Sequence, residues 1–505
     1  MKRQIISLVI YSLLLMLTTD AIAQPIQPFA PDDFTGKPRV VILTDMGNEP
    51  DDQMSFVRLL LYSNEIDFEA LVATTSTWQK NKVQIEPMKK IVAAYGEVRP
   101  NLLKHATGWP EAATLDAMVM SGQTAYGMAA VGMDKMSPGA EAIIRAADKD
   151  DPRPLWVSLW GGANTLAQAL LHVKATRSAA EVDKLIAKLR VYTISDQDDA
   201  GPWIRREFPK LIYVGTPSSP DSGEYAMATW TGISGDVYYL NGQGADGSTV
   251  TNEWLETKIR AKGPMGKLYP KFEFIMEGDT PAYLFLTNNG LNSYRHPSWG
   301  GWGGRYIWRQ AYSETRPMWT QGGDMFTRVT SRDKVTGIDG KSYYSDQATV
   351  WRWRTAFQHE FAARMDWTIK SFKEANHNPV VVVNGKDGTA PITIEAEVGQ
   401  PITLDASTTR DPDGNKLTYK WFHYEEAGYT GRGTNMAAVT IAQSDAAKTT
   451  VTATAACRPV WMPMNRPCLT GIAHVILAVT DNGSPSLTAY RRVILHVREA
   501  QKEKK

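Results

Sequence analysis

The chain has 505 residues, with 55 basic against 54 acidic side chains and a net charge of +1. That balance lacks the basic footprint of a nucleic-acid or anionic-membrane binder, and the length exceeds one ordinary core, so two or three domains are expected. The only cysteines, Cys457 and Cys468, have no second pair to make a zinc site and leave a local disulfide open in an oxidising compartment.

In chain order, residues 1–23 read as a cleavable export signal: basic "MKRQ", apolar "IISLVIYSLLLMLTT", and small-residue "AIA" before Gln24. A periplasmic or extracellular protein is expected, without a lipid anchor, because no Cys follows the cleavage site. Without Lys2, Arg3 and Asp20 the mature chain holds 53 basic and 53 acidic residues. No later run reaches about 18 uninterrupted apolar residues, so no membrane insertion is expected.

"RVVILTD" predicts a buried strand. The following "DDQMSFVRLLLYSN" predicts a helix, with Met54, Val57, Leu60 and Leu61 at helical spacing and Asp51 and Asp52 favourable at its N-terminus. The alternation continues with the strand "FEALVATTS" and the helix "VQIEPMKKIVAAYGEV". "PLWVSLWGG" leads into "ANTLAQALLHVKA", and "LRVYTISD" into "GPWIRREFP". Repeated β-α order predicts an α/β domain over 38–372, a mostly parallel sheet flanked by helices.

After "KEANHNPVVVVNG" the runs become short, Thr- and Val-rich, and broken by turns. "ITIEAEVGQPITLDAS", "LTYKWFHY", "TTVTATAA" and "HVILAVTD" alternate as the strands of a sandwich do. A linker is expected over 373–386, an all-β sandwich over 387–498, and a frayed tail over 499–505. "DPDGNKLTYKW" and "VTDNGSPSLTAYRRVILHV" resemble bacterial PKD-like and immunoglobulin-like modules.

One stretch stands out. "TDMGNEPDD" crowds Asp45, Glu49, Asp51 and Asp52 behind the first strand, at the sheet end where α/β proteins place their sites. Carboxylates this close repel and raise one another's pKa unless a cation or a reaction needs them. Hard cations such as calcium take six to eight oxygen ligands. The alternative is a solvated turn capping a helix.

"TDMGNEPDD" resembles the aspartate-rich loop of nucleoside hydrolases, which holds calcium and the attacking water. "LWGGANTLAQAL" resembles that family's second element, and "MEGDTPAYLFL" its last, with the family's aspartate falling on Asp279. Together with "YTISDQDDAGPWIRREFP" and "HPSWGGWGGRYIWRQAY", these elements are most similar to a divergent exported branch with a C-terminal β-sandwich, the cellulose-binding Sde182 type. The resemblance implies bound calcium (Ca2+), with Asp45 as general base and as a ligand beside Asp52, Asp279 and the Trp160 carbonyl. It implies Asp51 on sugar hydroxyls; Glu49 and Asn164 are expected as further substrate contacts.

Four departures point away from free nucleosides. Leu43 stands where the family has an acid, the loop gains Glu49 and Pro50, Gly278 replaces a histidine, and no Asn-rich segment follows "ATTSTWQ". A general acid opposite Asp45 would complete an inverting pair. Glu277 and Asp198 are the candidates, unless they bind calcium, cap helices or hold Arg205 and Arg206.

Of the 16 tryptophans, 14 precede His377, so the enrichment belongs to the α/β part. In "SWGGWGGRYIW", Trp299, Trp302, Arg305 and Tyr306 are expected to contact sugar, because flat aromatics stack on sugar rings and glycines admit close approach. The alternative is packing of a long loop onto the core. The expectation is thus an exported, calcium-dependent hydrolase of glycosidic bonds acting on an oligosaccharide or polysaccharide. The alternatives are a non-catalytic polysaccharide-binding protein on the same scaffold, and nucleoside salvage.

Overall fold

In the computed structural model, which describes residues 30–218, 223–235, 244–311, 314–321, 331–430, 435–458 and 469–500, the run after Pro38 forms β1 (Arg39–Thr44), buried at every position. The expected signal segment 1–23, Cys468 and the tail beyond residue 500 lie outside the described residues.

Seven further strands join β1 in one sheet: β2 (Asp67–Ala73), β3 (Val119–Ser121), β4 (Leu155–Leu159), β5 (Leu189–Thr193), β6 (Ile212–Val214), β7 (Ile307–Arg309) and β8 (Met318–Thr320). Their order is β3-β2-β1-β4-β5-β6-β8-β7. All neighbours are parallel except the edge pair β7 and β8. The helices that carry or brace the site are α1 (Pro50–Leu60), α2 (Glu86–Leu102), α3 (Asn164–Thr176), α4 (Ala200–Glu207), α5 (Thr280–Leu284) and α6 (Arg354–Trp367). Val41, Leu43, Val157 and Leu159 of the central strands pack with Leu166 and Leu170 of α3 in one apolar core. The chain leaves β1 toward β2 on one side and returns to β4 on the other. That reversal opens a crevice at the C-terminal ends of β1 and β4.

A short ribbon, β9 (Asp333–Thr336) with β10 (Ser342–Ser345), precedes the sandwich. The sandwich strands are β11 (Ile392–Glu397), β12 (Pro401–Asp405), β13 (Leu417–His423), β14 (Ala438–Ile441), β15 (Lys448–Ala455), β16 (Thr470–Asp481) and β17 (Thr488–Arg498). One sheet runs β11-β17-β16-β13 and the other β12-β15-β14. Trp421, Val475, Leu477, Val493 and Leu495 fill the space between them. In the "DPDG" turn, Asp411 Oδ1 accepts from the backbone N–H groups of Asp413 and Asn415.

The segment 373–386, expected as a linker, is packed instead. Its run "VVVV" buries Val381 and Val383 in the sandwich core, while Asn376 donates to both Asp481 oxygens at 3.0 Å. Four consecutive β-branched apolar residues are costly to leave in water.

The tryptophan–glycine run builds the seam to the sandwich. Arg492 of β17, fully buried, donates to the carbonyls of Leu291 (2.7 Å), Trp299 (3.0 Å) and Gly300 (2.9 Å). Its remaining nitrogen meets His474 Nδ1 at 2.9 Å. Gly290 sits at φ +93°, and a Cβ there would fall 1.9 Å from the Tyr490 carbonyl oxygen. Overpacking combined with left-handed backbone leads to a prediction for Gly290→Ala, a loss of about 3 kcal/mol. Chemical denaturation checks it, and a change under about 0.5 kcal/mol would show that the seam is loose.

Candidate functional site

Each wall of the crevice follows a strand. Asp45 follows β1, the Ser76–Gln79 turn follows β2, Trp160 to Gly162 follow β4, and Ser195 to Asp198 follow β5. Asp279 immediately precedes α5. The crevice is narrow and is lined by Asp45, Asn48, Glu49, Asp51, Asp52, Trp78, Ile194, Gln197, Tyr225, Trp230, Gly278 and Asp279.

Oxygens of Asp51, Asp52 and Asp279 lie within 4.8 Å of one another. Asp52 is fixed by a hydrogen bond from Thr44 Oγ1, which itself accepts from the Met46 N–H at 3.2 Å. Asp45 adjoins this triangle, with Asp52 and the Ser76 hydroxyl as its polar neighbours. Ionised carboxylates this close repel one another, so Asp45 beside Asp52 calls for a proton or a cation between them. Glu49 occupies the N-cap position of α1 but makes no side-chain cap bond, so capping does not explain the acidic crowd.

Electrostatics give the same picture. Burial, then repulsion from Glu49 and Asp45, pushes Asp51 up to about 8. Burial also raises Asp45. Asp52 is held well above the carboxylate range by burial and by Asp45 and Asp51. Asp279 is raised in the same way, first by burial and then by Asp52, Asp51 and Asp45. Asp279 Oδ2 is buried without a hydrogen-bond partner, a costly arrangement for a carboxylate oxygen. An all-oxygen donor set with one orphaned oxygen fits a hard divalent cation.

The expected ligand set needs adjustment. Asp51, expected on sugar hydroxyls, stands with Asp52 and Asp279, whereas Asp45 flanks that triangle. The Trp160 carbonyl accepts the Gln197 side-chain amide at 2.8 Å.

Both candidates for the general acid are corrected. Glu277 is fully buried and faces away from the crevice, in an ion pair with Arg58 of α1 at 2.8 Å. It also accepts from Tyr269 Oη at 2.6 Å. Two residues from Asp279 in sequence does not mean the same face here, because Glu277 takes φ +57° rather than extended backbone. Asp198 braces two helices: its oxygens accept the N–H of Asn164 at 3.1 Å and of Ala200 at 3.0 Å. Burial lifts it to about 6. Arg205 is held by Asp196 in a bidentate pair at 2.8 Å.

Asn164 is also corrected. It is fully buried and donates to Thr75 Oγ1 and the Ala125 carbonyl at 3.0 and 2.8 Å, which uses both amide protons on the scaffold. Trp299, Trp302, Arg305 and Tyr306 are all at least 94% buried and cannot stack on a sugar from solvent. Trp302 packs on Phe357 and Tyr490. Arg305 pairs with Asp333 at 2.8 Å, and Tyr306 bonds Tyr192 at 2.6 Å.

The aromatics that do line the cavity are Trp78, Tyr225 and Trp230. Trp78 is 49% exposed at the rim, and Trp230 meets Tyr225 edge to face at 5.1 Å. The signal for Trp78 was a single tryptophan in the polar run "TSTWQKNK", where no apolar neighbour calls it inward. At Gly278, a Cβ would come within 2.8 Å of Asp51 Oδ2 and 3.3 Å of Trp230.

A switch-point crevice floored by clustered aspartates on this sheet defines an α/β protein of the nucleoside-hydrolase type. Residues 39–306 match the family described as "Cellulose-binding Sde182, nucleoside hydrolase-like domain", and 401–497 match "Cellulose-binding protein Sde0182, C-terminal domain". The chain belongs to this cellulose-binding Sde182 family. It is 38% identical to a nucleoside hydrolase-related protein from Saccharophagus degradans described as associated with carbohydrate metabolism, over 92% of this chain and 100% of that one, with a TM-score of 0.73. An inosine-guanosine nucleoside hydrolase aligns at 11% identity over 66% of this chain and 98% of its own, with a TM-score of 0.29. A PKD domain aligns at 19% identity over 23% and 88%, with a TM-score of 0.15. No curated protein matches the chain.

Proposed function

We propose that this protein is an exported, calcium-dependent hydrolase of glycosidic bonds acting on a saccharide. The observation that carries the reading is the convergence of Asp51, Asp52 and Asp279, with one buried oxygen left unpartnered. Those three carboxylates would hold the cation. Bound calcium supplies positive charge that keeps the carboxylates ionised and orients oxygen ligands. Asp45, steadied by Ser76, takes the proton of the attacking water as the sugar carbon gains oxocarbenium character. Glu49, at the same mouth, adds negative potential that favours a developing cation on the sugar. Export rests on the leader-like residues 1–23, and among the described residues no helix is long and apolar enough to cross a membrane.

A second reading, polysaccharide binding without cleavage, is favoured by one observation: Glu277 and Asp198 are both committed to internal partners, so neither of them stands across from Asp45 as a paired acid. The family description as cellulose-binding agrees with it. Hydrolysis of a panel of p-nitrophenyl glycosides, with calcium and then with EGTA, separates the two. Release of nitrophenol that EGTA abolishes supports the enzyme. No release from any glycoside, with calcium bound, supports the binder.

A pH dependence follows from the raised carboxylates. Asp51 is protonated in the fold up to about pH 8 but ionises near 3.9 in an unfolded chain. The cation-free fold therefore loses stability as pH rises through that window. Calcium removes this cost, so the calcium-induced rise in Tm is expected to be larger at pH 8 than at pH 5. Thermal melts with calcium or EGTA at both pH values check this, and an equal rise at both would contradict it.

A further inference from the structure

Away from the crevice, two histidines meet where the α/β domain joins the sandwich. His105 stands just past the end of α2, and His377 lies in the packed segment after α6. We infer that His105, His377 and Asp413 form an acid-sensitive latch between the two domains, fastened by one shared charge and released when a second charge enters the pair. The latch is independent of the crevice and of any reaction there.

Counting protons fixes the state of the pair. His105 Nε2 lies 3.0 Å from the Lys370 carbonyl, which only accepts, so this nitrogen carries a proton. His377 Nδ1 lies 2.9 and 3.1 Å from the two Asp413 oxygens. A carboxylate only accepts, so that nitrogen carries a second proton. His105 Nδ1 and His377 Nε2 face each other at 3.0 Å, a contact that needs one proton and tolerates only one. The two rings together therefore hold one proton more than two neutral rings would, a single positive charge opposite Asp413. Asp413 Oδ2 also accepts the His377 backbone N–H at 2.7 Å, which holds the carboxylate in place.

The surroundings favour one charge and oppose two. His377 is buried and lies face to face with Phe372 at 3.9 Å, an aromatic face that suits a cation. Trp367 of α6 stacks on both imidazoles, 5.5 Å from His105 and 5.3 Å from His377. Burial first, then the charges of His377 and Lys104, hold His105 below the ordinary histidine range, against the Lys370 carbonyl and Asp413. His105 is thus the neutral ring, and its Nδ1 accepts from His377. Charged groups on the flanking elements are engaged elsewhere or lie in solvent. Asp366 of α6 pairs with Lys262 and Lys370, and Arg364 with Glu360. Glu374 bonds Ser371, Lys104 bonds Asn101, Asp411 accepts the Asp413 N–H, and Lys373 is exposed.

As pH falls, the next proton enters His105 Nδ1. It sets N–H against N–H between two positive rings, and the contact parts. The unfolded chain takes this proton near 6.5, the fold only at lower pH. The latch therefore contributes its full stability above about 6.5 and loses it as pH falls further. The segment holding His377 goes with the sandwich, since Asn376 is bound to Asp481. Trp367 Nε1 donates across the joint to the Asn376 carbonyl at 2.8 Å, and neither group titrates. Release accordingly loosens the joint locally and leaves the domains together.

The test is hydrogen exchange on the full chain at pH 7 and pH 5, corrected for intrinsic rates and read on segments 101–107 and 371–378. A global melt would mix two signs, because the raised crevice carboxylates stabilise the cation-free fold as pH falls. In the unsubstituted protein, protection of both segments is expected to be about tenfold greater at pH 7, while β4 changes less than twofold. His105→Gln keeps an amide at this place but takes no charge, and is expected to differ less than twofold between the two pH values. Nitrogen-15 spectra of the histidine-labelled, unsubstituted chain at pH 7 give a second readout, in which one ring of the pair is doubly protonated and the other singly. Equal protection at both pH values in the unsubstituted protein, an equal acid loss in His105→Gln, or two singly protonated rings in the spectra overturns the inference.

Discussion

Asp45→Asn is expected to lower glycoside turnover by about 10²- to 10⁴-fold, the usual contribution of a positioned general base, while leaving calcium affinity within a few-fold. The two effects separate because Asp45 flanks the triangle of Asp51, Asp52 and Asp279 without belonging to it. Its contacts are the Ser76 hydroxyl and Asp52, so an asparagine keeps the shape and loses the basicity. Turnover on the best p-nitrophenyl glycoside, read beside a calcium isotherm, checks both parts. Equal loss of calcium binding and turnover would make Asp45 a ligand first. Unchanged turnover would remove it from the chemistry.

Glu277→Ala is expected to destabilise the protein by about 3–5 kcal/mol, because it strands the Arg58 guanidinium in a dry interior. Both members of this pair are fully buried. Arg58 has other partners, the Gln358 side chain at 2.8 Å and the Phe357 carbonyl at 2.6 Å, but neither carries charge. The pair also bears on the site. Arg58 lies on α1 with Asp51 and Asp52, and Glu277 lies two residues before Asp279, so the bridge ties together the two segments that bring the carboxylates into one place. Replacing both partners, as Arg58→Met with Glu277→Leu, is expected to recover most of the stability. Denaturant melts measure each step, and a loss below about 1 kcal/mol for the single variant would show that water reaches the arginine.

The fold was legible where periodicity and order coincide. "RVVILTD", "FEALVATTS", "PLWVSLWGG" and "LRVYTISD" each became a strand of the parallel sheet, because buried parallel strands demand continuous apolar runs. The aspartates were legible for a related reason: a polar cluster directly behind such a run must sit at the sheet's C-terminal edge. What failed depended on facing. "SWGGWGGRYIW" has the composition of a sugar platform, and the same composition serves a tight seam, since glycines admit a backbone as readily as a ligand. Its partner was visible in "YRRVILHV", where Arg491 and Arg492 interrupt an apolar strand and therefore need buried acceptors. Glu277 failed through one backbone angle, φ +57°, which turned the carboxylate toward Arg58 and away from the crevice.

The most direct test of the account is calcium calorimetry on the full chain beside Asp52→Asn. Asp52 is buried, touches both Thr44 and Asp45, and belongs to the carboxylate triangle. The account predicts one calcium ion per chain, with affinity reduced at least a hundredfold by Asp52→Asn. No heat of binding at millimolar calcium in the unsubstituted protein, or an isotherm that Asp52→Asn leaves unchanged, would contradict it.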